Sequence, residues 1–207
     1  MDFSSEAKRK ILRAAADIFA EYGYQHGTIR QIASKAGMNV AAVNYYFGNK
    51  ESLYHEVLKT WTEESFKKYP VIQEADAGVS AEEKLYYQIR QILSKLFDEE
   101  QTPWFGKLFV RMATLETKDQ MKDLAECIYK PSVDIMTEII REIAGKEVDE
   151  ELLYFMATDI IGQCVFYYSD RKLLELVLPK EGKKIITIEF LSRKITDFSV
   201  CAIQNMV

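Results

Sequence analysis

The chain has 207 residues, 48% hydrophobic and 29% charged, which excludes wholesale disorder. Only 9 Gly and 4 Pro leave too few turn residues for a strand-rich sandwich or barrel. The net charge of −5 divides unevenly: residues 1–55 hold seven Lys/Arg against five Asp/Glu, and the other 152 hold 20 against 27, so a mildly basic head precedes an acidic body that need not repel a polyanion from the head.

Apolar residues at Ala7, Ile11, Ala14, Ala15, Ile18, Phe19 and Tyr22 repeat at helical spacing and predict a first helix over 5–22. Gly23 is placed to end it, because a left-handed backbone costs glycine little. Thr28-Ile29-Arg30-Gln31 forms a capping box and opens a short helix with Ile32 and Ala33 facing inward. Ala36-Gly37-Met38-Asn39 breaks that helix, and Asn39 caps a second short one from Val40 to Phe47. Gly48 stops it, and Asn49 caps a longer helix from Lys50 to about Lys68, which Tyr69-Pro70 terminates.

Beyond Pro70 at least five longer helices are expected. One follows the Ser80-Ala81-Glu82-Glu83 capping box, and another starts near Pro103. A third spans about 121–144, kinked at Pro131 and closed by Gly145. The last two run over 150–169 and 183–205. The fold class is all-α.

Two short helices joined by a glycine-containing turn, buttressed by a preceding helix, make a helix-turn-helix unit. Val43 and Phe47 would hold the second short helix against Ile32, Ala33 and the first helix. Ala41 and Ala42 keep its other side slim, so its backbone can approach a major-groove floor. Asn44 and Tyr45 offer hydrogen bonds and apolar contact to base edges. Thr28 at a helix N-terminus, the Tyr46 hydroxyl and the Lys50 cation suit backbone phosphates.

The strings Ile11-Leu12-Arg13-Ala14-Ala15, Phe19-Ala20-Glu21-Tyr22-Gly23-Tyr24, Thr28-Ile29-Arg30-Gln31-Ile32-Ala33, Ala36-Gly37-Met38, Tyr46-Phe47 and Lys50-Glu51-Ser52-Leu53 closely resemble the DNA-binding domain of the TetR family of bacterial transcriptional regulators. The resemblance covers about the first 55 residues without gaps. It implies a homodimer, usually a repressor released from double-stranded operator DNA by a small-molecule effector, and adds Arg30, Gln31, Asn39, Val40 and Ala41 to the DNA-contacting set. Members often carry tyrosine where this chain has Asn44 and a small polar residue where it has Ala42, so base preference does not transfer. The run from Asn39 to Phe47, with Ile161 to Tyr167, resembles the CecR-like subset. A DNA-binding domain over 1–55 and a helical ligand-sensing and dimerisation domain over 56–207 are therefore expected.

Within that body, Trp61, Phe105, Phe109, Met112, Tyr129 and Tyr167 are aromatic or apolar candidates for a pocket lining, and each suits a core equally well. Arg111 could meet a ligand anion or pair with a carboxylate such as Glu116. Gly162, Val165 and Phe166 with Ile188, Leu191, Ile195 and Phe198 are the candidate dimer face, since two-fold pairing presents two recognition helices to a palindrome. A body without a pocket would instead suit a regulator answering to a protein partner.

Cys127, Cys164 and Cys201 read as reduced core thiols rather than a disulfide framework, and with His26 and His55 they show no metal-ligand spacing. No phosphate-binding glycine loop or nucleophile elbow occurs, so neither an enzyme nor a cofactor site is expected. The apolar runs fall short of the ~18–20 residues that span a bilayer, and the start lacks a signal-peptide layout. A cytoplasmic protein with no membrane partner is the expectation.

Overall fold

A computed structural model describes residues 3–68, 78–98, 104–115, 122, 125–179 and 186–206. Every regular element among them is helical. No helix there is long and apolar enough to cross a membrane. By internal contacts the chain forms two units, one from 1–68 with 98–128 and one from 69–97 with 129–207.

The N-terminal unit is built on α1 (Phe3–His26), whose Ile11, Ala14, Ala15, Ala16, Ile18, Phe19 and Ala20 are all buried. Gly23 takes φ 75°, so the regular helix ends where the sequence places its cap, and a kinked last turn carries it to His26. The Thr28 capping box opens α2 (Ile29–Ala36): Thr28 Oγ1 accepts from the Gln31 amide at 3.2 Å, and Gln31 Oε1 accepts from the Thr28 amide at 2.8 Å. Gly37 closes α2 at φ 67°, and Asn39 Oδ1 accepts from the Ala42 amide at 2.7 Å to start α3 (Val40–Phe47). Asn49 Oδ1 does the same for the Ser52 amide at 2.8 Å, at the head of α4 (Lys50–Lys68).

Helix α1 packs against α2, α4 and α6 (Phe105–Leu115), and α3 against α2 and α4. Leu53, Tyr54, Val57 and Leu58 from α4 and Phe105, Leu108 and Phe109 from α6 are buried. The Tyr54 ring stands edge-on to Phe19 at 5.1 Å and to Tyr24 at 4.9 Å. Arg111 on α6 donates to the Glu21 carbonyl at 2.9 Å, at the end of the regular part of α1, where the helix dipole favours a cation. Glu116, the carboxylate partner expected from sequence, lies outside the described residues.

The C-terminal unit packs α5 (Ala81–Leu96) against α7 (Lys130–Ala144), α8 (Glu150–Ser169) and α10 (Ile188–Met206). Ser80 and Glu83 form the expected capping box, with Oγ accepting at 3.2 Å and Oε2 at 3.1 Å. Lys84 meets Glu142 at 2.8 Å and Phe97 meets Tyr168 at 5.3 Å, so α7 runs antiparallel to α5 while α8 runs parallel to it. Within the helix expected over 121–144 with a kink at Pro131, a π-helical turn, Ala125–Tyr129, runs directly into α7. Proline lacks the amide that would continue the α ladder, which favours such an irregular turn just before it. A short helix not foreseen from sequence, α9 (Arg171–Val177), follows α8 and buries none of its residues. The last helix begins at Ile188; the expected start at Lys183 lies outside the described residues.

Gly27 is buried, and its amide donates to the Gly23 carbonyl at 3.0 Å. A Cβ there would lie 3.0 Å from that carbonyl oxygen, 3.1 Å from Ile18 Cγ2 and 3.1 Å from Phe19 Cδ1. Gly27→Val should therefore destabilise the fold by about 1–3 kcal/mol, read as a lowered midpoint in thermal unfolding. An unchanged midpoint would show that α1 and α2 can separate freely at this joint.

Candidate nucleic-acid interface

Helix α3 has two dissimilar faces. Val43 and Phe47 are buried, while Asn39, Val40, Ala41, Asn44 and Tyr45 are exposed, Tyr45 at 84%. An aromatic side chain left so far out of the core makes no appreciable contribution to folding. Its ring rests edge-on against Tyr46 at 5.3 Å, and Tyr46 is half-buried. From α2, Thr28 and Arg30 are exposed and Gln31 is half-buried, its carbonyl oxygen held by the Thr28 amide. None of the ten residues expected at DNA is buried in the core.

Lys50 holds a structural position that its sequence neighbours do not reveal. Its Nζ donates to the Gln25 carbonyl at 3.2 Å and sits 4.5 Å from the centre of the Tyr24 ring. The cation thus ties the start of α4 to the end of α1 beside α2. Elsewhere on this unit Lys8 pairs with Glu56 at 2.8 Å and Lys35 with Asp17 at 3.2 Å, while Arg9 and Arg13 stay exposed.

Of the six pocket candidates, Phe105 and Phe109 are buried in the N-terminal unit with their rings 5.9 Å apart. Tyr129 and Tyr167 are half-buried in the other unit, and the side chains of Trp61 and Met112 lie outside the described residues. Tyr167 lines a groove of about 540 Å³ with Gln163, Lys194, Ile195, Asp197 and Phe198, between α8 and α10. Gln163, Lys194 and Asp197 escaped the sequence reading because polar residues on an amphipathic helix look like ordinary solvated surface.

The candidate dimer face separates into two groups. Gly162, Phe166 (48%) and Phe198 (65%) are exposed, Val165 and Ile188 are half-buried, and open space surrounds the Gly162 α-carbon. Leu191 and Ile195 are 2% and 1% exposed. They belong to the subunit's own core, because they lie on the side of α10 turned to its neighbours within the unit. Cys164 is buried, with its thiol pushed up to about 12, whereas Cys201 is exposed and is not the core thiol expected. The Cys127 side chain lies outside the described residues.

Residues 11–57 match the family of bacterial regulatory proteins of the tetR type, and residues 81–203 match the C-terminal domain of the HTH-type transcriptional dual regulator CecR. The chain belongs to the TetR family. It is a transcriptional regulator with a helix-turn-helix for DNA and a CecR-type C-terminal domain. CecR of Shigella flexneri is 26% identical over 172 residues, 78% of this chain and 75% of that protein. The fatty acid metabolism regulator protein of Bacillus subtilis is 24% identical over 197 residues, 95% of each chain. RutR of Escherichia coli K12 is 46% identical over 56 residues, 27% of this chain and 26% of its own.

Solved structures place the same fold over nearly the whole chain. FadR of Bacillus subtilis in complex with stearoyl-CoA superposes with a TM-score of 0.66 at 20% identity, covering 93% of this chain and 97% of that one. A TetR-like regulator from Rhodococcus sp. RHA1 gives 0.67 at 14% identity, with 96% of each chain covered. In this TetR-family chain, α6 falls within the CecR-type match yet folds with α1.

The geometry separates two substitutions. Tyr45→Ala should leave thermal stability within about 0.5 kcal/mol of wild type, as exposed sites do. Lys50→Ala removes a hydrogen bond and a cation–π contact and should cost about 1–2 kcal/mol. Equal unfolding midpoints for the two variants would show that the Lys50 tie adds nothing.

Proposed function

We propose that this regulator is a dimeric repressor that binds a palindromic operator and is released from it by a small-molecule effector. The observation that carries the DNA part is the division of α3 into a buried anchor, Val43 and Phe47, and a free face, Ala41, Asn44 and Tyr45. Asn44 and Tyr45 meet base edges, with Asn39, Val40 and Ala41 at the groove floor. Thr28, Arg30, Gln31, Tyr46 and Lys50 hold backbone phosphates, and Lys50 does so from a fixed position. We assign DNA contact to residues 1–55 and sensing with dimerisation to 56–207. The work is placed in the cytoplasm, and no catalytic role is assigned.

For dimerisation we propose the exposed strip of α8 and α10, Gly162, Val165, Phe166, Ile188 and Phe198, leaving out the core residues Leu191 and Ile195. Large exposed aromatics grouped beside an open glycine suit a self-complementary helical interface. The sensing part is supported by the FadR structure, which holds stearoyl-CoA on the same fold. Tyr129 and Tyr167 remain the lining candidates in the C-terminal unit. CecR is a dual regulator, which leaves activation at some sites compatible with repression at others.

Selection of a duplex from a random pool should yield an inverted repeat with half-sites about 34–36 Å apart or a multiple of that. Affinity should fall with salt at a log–log slope of about −0.9 per phosphate neutralised. Lys50→Ala should weaken all duplexes alike, whereas Tyr45→Ala should also relax preference at one base position. Absence of any retarded duplex at low salt after selection would sink the reading. Phe198→Asp should convert a sedimenting dimer to monomer, since an unpaired charge buried at an interface costs several kcal/mol. A wild-type monomer that still binds the inverted repeat tightly would refute the assigned face.

A further inference from the structure

Helix α9 packs against α8 yet leaves most of its apolar surface in water. Leu174 is half-buried, while Leu173, Leu176 and Val177, one turn of the same face, are 55%, 80% and 68% exposed. A helix of seven residues is too short to hold itself in water, and an apolar face this open calls for a cover.

Helix α8 carries the matching features. Its buried residues take one side, and Phe155, Asp159, Gly162 and Phe166 are exposed in line along the other. Phe155 and Phe166 stand about three turns apart, with Asp159 and Gly162 spaced evenly between them. An antiparallel copy of this stripe, related by a two-fold axis, sets Phe155 against the partner's Phe166. It also sets Asp159 against the partner's Gly162, where open space surrounds the α-carbon. Counted along the chain from there, Glu150 falls level with the partner's Arg171, Asp149 with the partner's Lys172 and Lys146 with the partner's Glu175. Each of these pairings is of opposite sign. Within the subunit Asp149 caps α8 and Glu150 meets Arg141 at 2.7 Å, and both stay exposed. The like-charge match, Glu151 with the partner's Asp170, is softened because Ser169 Oγ donates to Asp170 at 2.6 Å in each subunit.

We propose that α9 is a clasp for a second copy of this chain, its Leu173, Leu176 and Val177 closing over the N-terminal end of the partner's α8 while the partner returns the same contact. The proposal rests on the dimerisation proposed above and adds a surface that the α8–α10 strip leaves out. Only Asp170 separates α9 from α8, so the clasp and the α8 stripe form one continuous face. A second copy fits better than a foreign protein because that face complements itself both in side-chain size and in sign. Exposed ion pairs contribute little each, so the charges fix direction and register while the leucines and the valine supply the hold.

Sedimentation equilibrium of the full-length chain tests this. Wild type should be a dimer, and Leu176→Asp should raise its dissociation constant about tenfold or more, because it places an unpaired charge under the clasp. Helical circular dichroism should stay unchanged, since the side chain is exposed within the subunit; should that variant fail to fold, Leu176→Ser carries the same expectation in direction. Lys146→Glu should weaken the dimer about threefold or more, since it sets like charges opposite each other. Adding Glu175→Lys should restore the dimer, a recovery that a purely local loss of stability does not give. A Leu176→Asp dimer as tight as wild type, or a double charge variant no tighter than Lys146→Glu alone, overturns the clasp. If Phe198→Asp still separates the subunits in that case, the dimer face stands and only the clasp falls; a monomeric wild type overturns both. A wild-type tetramer that Leu176→Asp returns to a dimer also overturns the clasp, by placing α9 between dimers.

Discussion

The DNA-contacting half depends on one constraint: helices of eight residues do not hold themselves. Isolated helices shorter than about 12–15 residues are marginal in water, so α2 and α3 must borrow their order from neighbours. Side-chain caps at Thr28 and Asn39 satisfy their first amides, and buried α1 supplies the packing surface. Ala14, Ala15, Ala16 and Ala20 keep parts of that surface low, and Ile32 and Ala33 are buried on the side of α2 that packs against α1. Once Val43 and Phe47 anchor α3, its remaining face has no structural duty and is free to read DNA.

That hierarchy explains which features were legible in the sequence. Each cap joins a side chain to an amide two or three residues away, so Thr28, Asn39, Asn49 and Ser80 announce themselves in any four-residue window. The bounds of α2 and α3 and the start of α5 followed from such signals. Contacts between distant residues leave no such mark. Lys50 reaches Gln25 across 25 positions and Arg111 reaches Glu21 across 90, and nothing beside either residue encodes its partner.

The candidate dimer face shows a different limit. Periodicity reveals that α10 is apolar over a wide arc but not which part of the arc its own unit consumes. Leu191, Ile195 and Ile203 go inward, accompanied by Ser192 and Thr196, whose hydroxyls donate to carbonyls of their own helix at 2.7 Å. Phe190 and Phe198 stay outside. A buried serine that satisfies itself locally is indistinguishable in sequence from a solvated one, so the inner face reads as more polar than it behaves. The pocket candidates meet a related limit: an aromatic residue fills a core and lines a cavity with the same side chain.

The effector release proposed above draws on the position of α6. By descent it belongs to the CecR-type domain, and by packing it belongs with α1. A charge-assisted hydrogen bond such as Arg111 to the Glu21 carbonyl is worth about 1.5–3 kcal/mol, comparable to the roughly 1–3 kcal/mol that typically couples two sites. Changing one such contact, or the packing of Phe105 and Phe109 beside it, is therefore sufficient in magnitude to alter operator affinity several-fold or more. No large rearrangement is required of a unit whose short helices already depend on α1. Because the coupling proposed here would be a free energy, DNA that stabilises one arrangement of α1 would weaken an effector that stabilises another, by the same factor.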